Sequence, residues 1–160
     1  MKKLRIYLDT SVFGGCFDKE FADASRKLFE EIKAGRYILV LSLTNIEELK
    51  KAPEYVHQLI QDLPDESVEM ITLTDEIKAL RDAYIEAGVV GRASFFDAEH
   101  IASATVADVD LIVSWNFKHI VHFQKIRAIM QSICWKVIIL SLFIPQRRLS
   151  KNETKVVWLY

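Results

Sequence analysis

The sequence is poor in the residues that define several protein classes. It has 2 cysteines, Cys16 and Cys134, and no CxxC pair. That excludes a multi-disulfide framework and gives no indication of a zinc site, and it fits a reducing compartment. With 5 glycines and 3 prolines in 160 residues, it carries no collagen-like repeat and no linker-type stretch. A dominant charge is also missing: 21 basic residues oppose 22 acidic ones, so no strong basic field marks a nucleic-acid partner. The longest apolar run, Ile133 to Ile144, is interrupted by Lys136 and falls well short of the roughly 20 residues that span a bilayer. The opening Met1-Lys2-Lys3-Leu4-Arg5 precedes only a short apolar run that Asp9 ends, unlike a signal peptide. The expectation is a soluble, cytoplasmic protein with no membrane partner.

What is present suits one packed domain. Hydrophobic residues make up 51% of the chain and aromatics 11%, enough to fill a core and to exclude disorder. Charge is uneven along the chain. Between residues 129 and 160, Lys136, Arg147, Arg148, Lys151 and Lys155 face one acid, Glu153, which leaves the rest net acidic.

Short β-rich runs alternate with amphipathic segments. Leu4 to Leu8 is a strand ending at Asp9-Thr10-Ser11. Helical spacing links Phe21, Ala24, Leu28, Phe29 and Ile32, and Gly35 stops that helix. Tyr37 to Leu41 is a continuous apolar strand of the buried, parallel kind. Ser42 or Thr44 caps a helix through Leu49, and Pro53 starts another through about Leu63. Val68 to Leu73 reads as a third strand, followed by a helix from Thr74 to Gly88. Ser94 to Val106 reads as a helix rich in small residues, and Leu111 to Val113 as a fourth strand. This alternation predicts an α/β fold, a three-layer α/β/α sandwich around a mainly parallel sheet.

Ligand sites of such sheets lie beyond the carboxyl ends of the strands, and polar residues fall there. Asp9 follows the first strand, Ser42 the second, and Ser114 and Asn116 the fourth. Each has a plain structural alternative. Asp9 can accept backbone hydrogen bonds as a turn or cap. An aspartyl-phosphate chemistry is disfavoured, because the second acid it requires two residues on is Ser11 here. Of the adjacent acids Glu47 and Glu48, one can face inward while the other faces solvent, and local pattern leaves open which. Asp97 can stabilise a helix start, His100 can be a satisfied structural histidine, and Asn116 a loop residue. Arg81, Arg92 and Lys118 are candidates, on charge alone, for contacting a nucleic-acid backbone.

Taken in order, four stretches resemble the PIN-domain family, in particular the VapC-like toxin ribonucleases of toxin–antitoxin pairs. They are Ile6-Tyr7-Leu8-Asp9-Thr10-Ser11; Ser42-Leu43-Thr44-Asn45-Ile46-Glu47-Glu48-Leu49; Asp97-Ala98-Glu99-His100-Ile101-Ala102-Ser103-Ala104; and Leu111-Ile112-Val113-Ser114-Trp115-Asn116-Phe117-Lys118-His119. The resemblance implies a metal-dependent endoribonuclease using Mg²⁺ or Mn²⁺, RNA as substrate, a small antitoxin covering the cleft, and a homodimer. Carried over residue by residue, the family's acids fall on Asp9, on Glu48 rather than Glu47, and on Asp97. The fourth position, an acid in most relatives, is Asn116, which supplies an amide oxygen without charge. Thr10, Ser11 and His100 then take substrate-positioning roles. Hard divalent cations prefer oxygen ligands, and two or three carboxylates suit one ion. Two other readings stay open: a catalytically impaired PIN-like binding or scaffold module, consistent with Asn116 and the altered tail, and a metal-dependent nuclease of RNA processing or of structured DNA without an antitoxin.

The resemblance covers residues 4 to about 123. The expected organisation is a PIN-like domain over 1–128 and an atypical segment over 129–160, with Val137 to Ile144 as an edge strand before a basic tail. Relatives end instead with a Gly-Tyr turn, an apolar strand and a Thr-Pro-Glu-type close. A one-nucleotide shift of reading frame permits Leu-Glu-Gly-Tyr-Asn in place of Cys134 to Ile138. Such a shift would make the tail's charge accidental, and the coding DNA tests it.

Overall fold

The computed structural model describes residues 3–88 and 95–116. The expected segment 129–160, its edge strand and basic tail, and residues 117–128 of the expected domain lie outside the described residues, as do Arg92 and Lys118.

Four parallel strands form one sheet in the order β3-β2-β1-β4: β1 (Leu4–Leu8), β2 (Tyr37–Ser42), β3 (Val68–Ile71) and β4 (Leu111–Val113). Six helices are described: α1 (Thr10–Gly15), α2 (Ala22–Lys33), α3 (Leu43–Leu49), α4 (Glu54–Gln61), α5 (Asp75–Glu86) and α6 (Phe95–Val106). The register pairs Ile6 with Leu39 and with Leu111, which buries β1 at the centre.

The period-2 alternation of buried strands assigns residues to the two faces. Ile6, Leu8, Leu39 and Leu41 point to one side, where Val12, Phe13, Leu28, Phe29, Ile32, Leu49 and Val56 from α1 to α4 complete a core. Tyr7, Val40 and Ile112 point to the other, against Ala104 of α6. Beyond that layer α6 packs on α5 through Ile77, Tyr84, Ala98, Ile101 and Ala102. The small residues of α6 allow this close approach. The α/β three-layer architecture expected from the sequence is therefore present, and the four described strands are all parallel.

Differences are local. The third strand ends at Ile71 rather than Leu73, and α4 ends at Gln61 rather than Leu63. Gly35 does end α2, at φ 72°, where a side chain would be strained. The sequence reading lacks α1, a six-residue helix containing Gly14 and Gly15; such residues disfavour a helix locally. Gly15 is there for space. A Cβ would stand 2.5 Å from Trp115 Nε1 and 2.6 Å from Ser25 Oγ. The indole is held by its hydrogen bond to Ser25 and by stacking on Phe21, and it cannot retreat. Short α1 thus turns the chain sharply at the carboxyl edge of β1, next to the loop after β4.

From β1 the chain moves to β2 and β3 on one side, then crosses to β4 on the other. The crevice beyond the carboxyl ends of β1 and β4 lies at this change of direction, where open α/β sheets bind ligands.

Candidate active site

Asp9 stands at that crevice, its backbone amide donating to the Val113 carbonyl at 2.9 Å. Although it occupies the cap position of α1, its side chain makes no cap hydrogen bond. The expected alternative of backbone capping is replaced by hydroxyl donors: Ser11 Oγ at 2.8 Å and Ser114 Oγ at 2.6 Å donate to Oδ2. Ser11 Oγ also accepts from the Trp115 amide at 2.9 Å. A buried carboxylate is tolerated when it is hydrogen-bonded, and β1, α1 and the β4 loop together supply the donors.

Glu48 arrives from α3, which begins at a capping box: Ser42 Oγ accepts from the Asn45 amide, and Asn45 Oδ1 accepts from the Ser42 amide. Asn45 Nδ2 donates to the Leu8 carbonyl at 2.9 Å, tying α3 to the end of β1. Of the two adjacent acids, Glu47 is exposed and pairs with Lys50, whereas Glu48 turns inward. The local ambiguity is thereby resolved in favour of Glu48. Thr10 Oγ1 donates to Glu48 Oε2 at 2.6 Å, and His100 Nε2 lies 2.8 Å from the same oxygen. Burial pushes the Glu48 carboxyl up, but hydrogen bonds from His100 and Thr10 and the charge of His100 outweigh it and hold it below the usual range.

His100 is buried on α6. Its Nε2 lies 3.6 Å from Asp9 Oδ1 as well, so it faces two acceptors and must carry a proton. Its Nδ1 is 2.7 Å from the Tyr7 hydroxyl, which is 2.7 Å from Ser42 Oγ. Burial pushes the Tyr7 hydroxyl far above its ordinary range, so it stays protonated. The sequence places Tyr7 in the first family-like stretch but gives it no role of its own. The available signal is that Tyr7 alternates with Ile6 and Leu8 and so faces the opposite layer, where a buried phenol needs a partner.

Asp97, in the first turn of α6, and Asn116, after β4, line the same open groove as Asp9, Thr10, Ser11 and Glu48, a space of about 540 Å³. The six residues expected at the mouth of the site are thus brought together, and His100 lies buried behind them. Ligand atoms of Asp9, Glu48 and His100 all lie within 4.8 Å of one another, and this cluster could hold a metal ion. The donor chemistry fits a hard divalent cation, because two carboxylates converge and an amide oxygen and a third carboxylate share the groove. His100, protonated at Nε2, serves here as a donor to Glu48.

Arg81 departs from its expectation as a nucleic-acid contact. Its guanidinium donates to Glu99 Oε2 at 2.6 Å and to Asp82 Oδ1 at 2.8 Å, and it sits 4.3 Å over the Phe95 ring. Glu99 in turn accepts from Thr44 Oγ1 at 2.7 Å. This network joins α5, α6 and α3, and it occupies the cation in packing. Among the described residues, no helix is long and apolar enough to cross a membrane.

No protein-family model matches the chain, and no curated protein matches it significantly. Four chains among solved structures do. One belongs to VapBC2 from Rickettsia felis, crystallised with a DNA fragment from their promoter; it is 18% identical, with a TM-score of 0.52, and the match covers 74% of this chain and 95% of that one. At that identity the likeness concerns the fold alone, an α/β sandwich around a parallel sheet.

Proposed function

We propose that this chain is a metal-dependent endoribonuclease and the toxin half of a toxin–antitoxin pair. The observation that carries the proposal is the convergence of Asp9, Glu48, Asp97 and Asn116, from four separate segments, on one groove at the switch point of a PIN-like sheet. Asp9, Glu48 and Asp97 would hold Mg²⁺ or Mn²⁺, with Asn116 contributing an uncharged oxygen. When bound, such an ion neutralises phosphate charge and lowers the pKa of water. Ser11 and Ser114 fix the Asp9 carboxylate, while Thr10 and His100 fix Glu48. An antitoxin partner is supported by the likeness to a chain of VapBC2, which was crystallised bound to a DNA fragment from their promoter.

Cleavage of a mixed RNA pool with Mg²⁺ or Mn²⁺ tests this. Wild-type protein is expected to cut, and Asp9→Asn and Asp97→Asn are expected to lose at least about a hundredfold in rate. A folded wild-type protein that neither cuts RNA nor is stabilised by either metal would overturn the proposal. That result would favour the second reading, a binding or scaffold module, for which the uncharged Asn116 is the supporting observation.

A further inference from the structure

Two exposed rings share the groove with the acids. Phe17, just beyond the end of α1, is 45% exposed, and Tyr55, in the first turn of α4, is 53% exposed. Their centroids are 4.3 Å apart with the planes tilted by 56°. Both line the same groove as Asp9, Glu48, Asp97 and Asn116, as does Lys51. The core of the sheet does not require these rings: the side chains that α1 and α4 bury are Val12, Phe13 and Val56. Lys51 is exposed and stands outside every ion pair formed among the described residues.

We propose that Phe17 and Tyr55 form a stacking platform for an unpaired base of single-stranded RNA, with Lys51 facing its phosphate backbone. The inference rests on the nuclease reading and adds to it a subsite and a preference for unpaired strands. Three features point to a base as the occupant. Aromatic faces accept any base by stacking, which suits recognition of single-stranded RNA. The rings line the same groove as the acids, so one strand seated in that groove can meet both. Lys51, outside every ion pair among the described residues and lining the same groove, supplies a cation for a phosphate backbone that an acid cluster alone would repel. A duplex keeps its bases stacked inside and gains nothing from the rings.

The test is binding in EDTA, which prevents cleavage, of a short single-stranded RNA containing 2-aminopurine. Affinity is read by anisotropy and stacking by quenching of the 2-aminopurine. Phe17→Ala with Tyr55→Ala is expected to weaken binding about tenfold or more and to abolish quenching, whereas Tyr55→Phe retains both. Affinity for a blunt RNA duplex is expected to be the same in wild type and variants. Phe17→Leu, which keeps apolar area without a ring, is expected to lose the quenching. Full affinity and quenching in Phe17→Leu and in the double variant, alongside intact metal-dependent cleavage, would overturn the platform, leave the nuclease reading standing and favour a protein partner on this face. A wild type that neither binds nor cleaves RNA would overturn both.

Discussion

Glu48 and His100 meet 2.8 Å apart across the gap between α3 and α6, on the carboxyl side of a sheet that neither residue belongs to. Their contact closes a chain of short hydrogen bonds from Ser42 through the Tyr7 hydroxyl to the imidazole and then to the carboxylate. The interior of the sheet is thereby linked to the groove. Tyr7→Phe removes one atom from this chain and leaves Ser42 Oγ and His100 Nδ1 without their shared partner. Loss of a buried hydrogen-bonding group costs about 1–3 kcal/mol. A corresponding fall in unfolding free energy is expected in urea titrations, with the fold retained by circular dichroism.

The adjacent acids Glu47 and Glu48 provide an internal control. Glu47→Gln removes only an exposed pair with Lys50, which contributes about 0–1 kcal/mol, and cleavage is expected to be unchanged. Glu48→Gln is expected to lower cleavage at least about a hundredfold. It should also shrink the rise in melting temperature produced by Mn²⁺, since a ligand that binds only the folded state stabilises it in proportion to its affinity. Equal effects of the two substitutions would sink the assignment.

Much of this site was legible in the sequence because strand-end position is a strong constraint. Asp9, Ser114 and Asn116 follow apolar strands and can hardly avoid the carboxyl edge of a parallel sheet. Glu48 needed the family pattern, because two neighbouring acids on a short helix differ only by rotation. The role of His100 depended on a tertiary contact with Glu48, 52 residues away, which no local pattern encodes. Arg81 misled for the opposite reason: an arginine looks free until the buried Glu99 is found beside it. Short α1 escaped because its reason is Trp115, a residue 100 positions downstream of Gly15.

Gly15→Ala is therefore expected to be destabilising despite alanine's better helix propensity. The added methyl collides with an indole that is stacked and hydrogen-bonded. Overpacking of this kind costs about 1–3 kcal/mol. Gly14→Ala, where a Cβ meets nothing within 4 Å, is the matched control and should be neutral or slightly stabilising. Urea midpoints of the two variants check the contrast.

Cys16 makes stability depend on alkaline pH. Burial pushes its thiol from an ordinary value of 9.0 up to about 11, so the folded protein holds that proton where the unfolded chain has released it. Between those values the folded state binds more protons, and stability falls as pH rises, by at most about 1.4 kcal/mol per pH unit from this group. The slope is about half its maximum at pH 9 and fades within about one pH unit below it. The difference in unfolding free energy between wild type and Cys16→Ala is expected to narrow from pH 9 to 11 and to stay constant between pH 7 and 8.

Arg81 and Glu99 form a pair of which both members are well buried, with side chains 13% and 6% exposed. Removing the arginine leaves a carboxylate in the interface of α5, α6 and α3 with Thr44 as its remaining side-chain donor among the described residues. Breaking such a pair from one side costs about 3–5 kcal/mol. Arg81→Ala is thus expected to lower the melting temperature strongly, while Arg36→Ala, which removes an exposed arginine from the half-buried Glu31, barely moves it. If Arg81 acted instead through the RNA backbone, its removal would weaken RNA binding and flatten the salt dependence of affinity at unchanged stability. Packing predicts the reverse: at temperatures where the variant remains folded, its RNA affinity and salt dependence match those of wild type. Stability and affinity measured on the same variant separate the two roles, because the pair's cost appears in the first and a phosphate contact in the second.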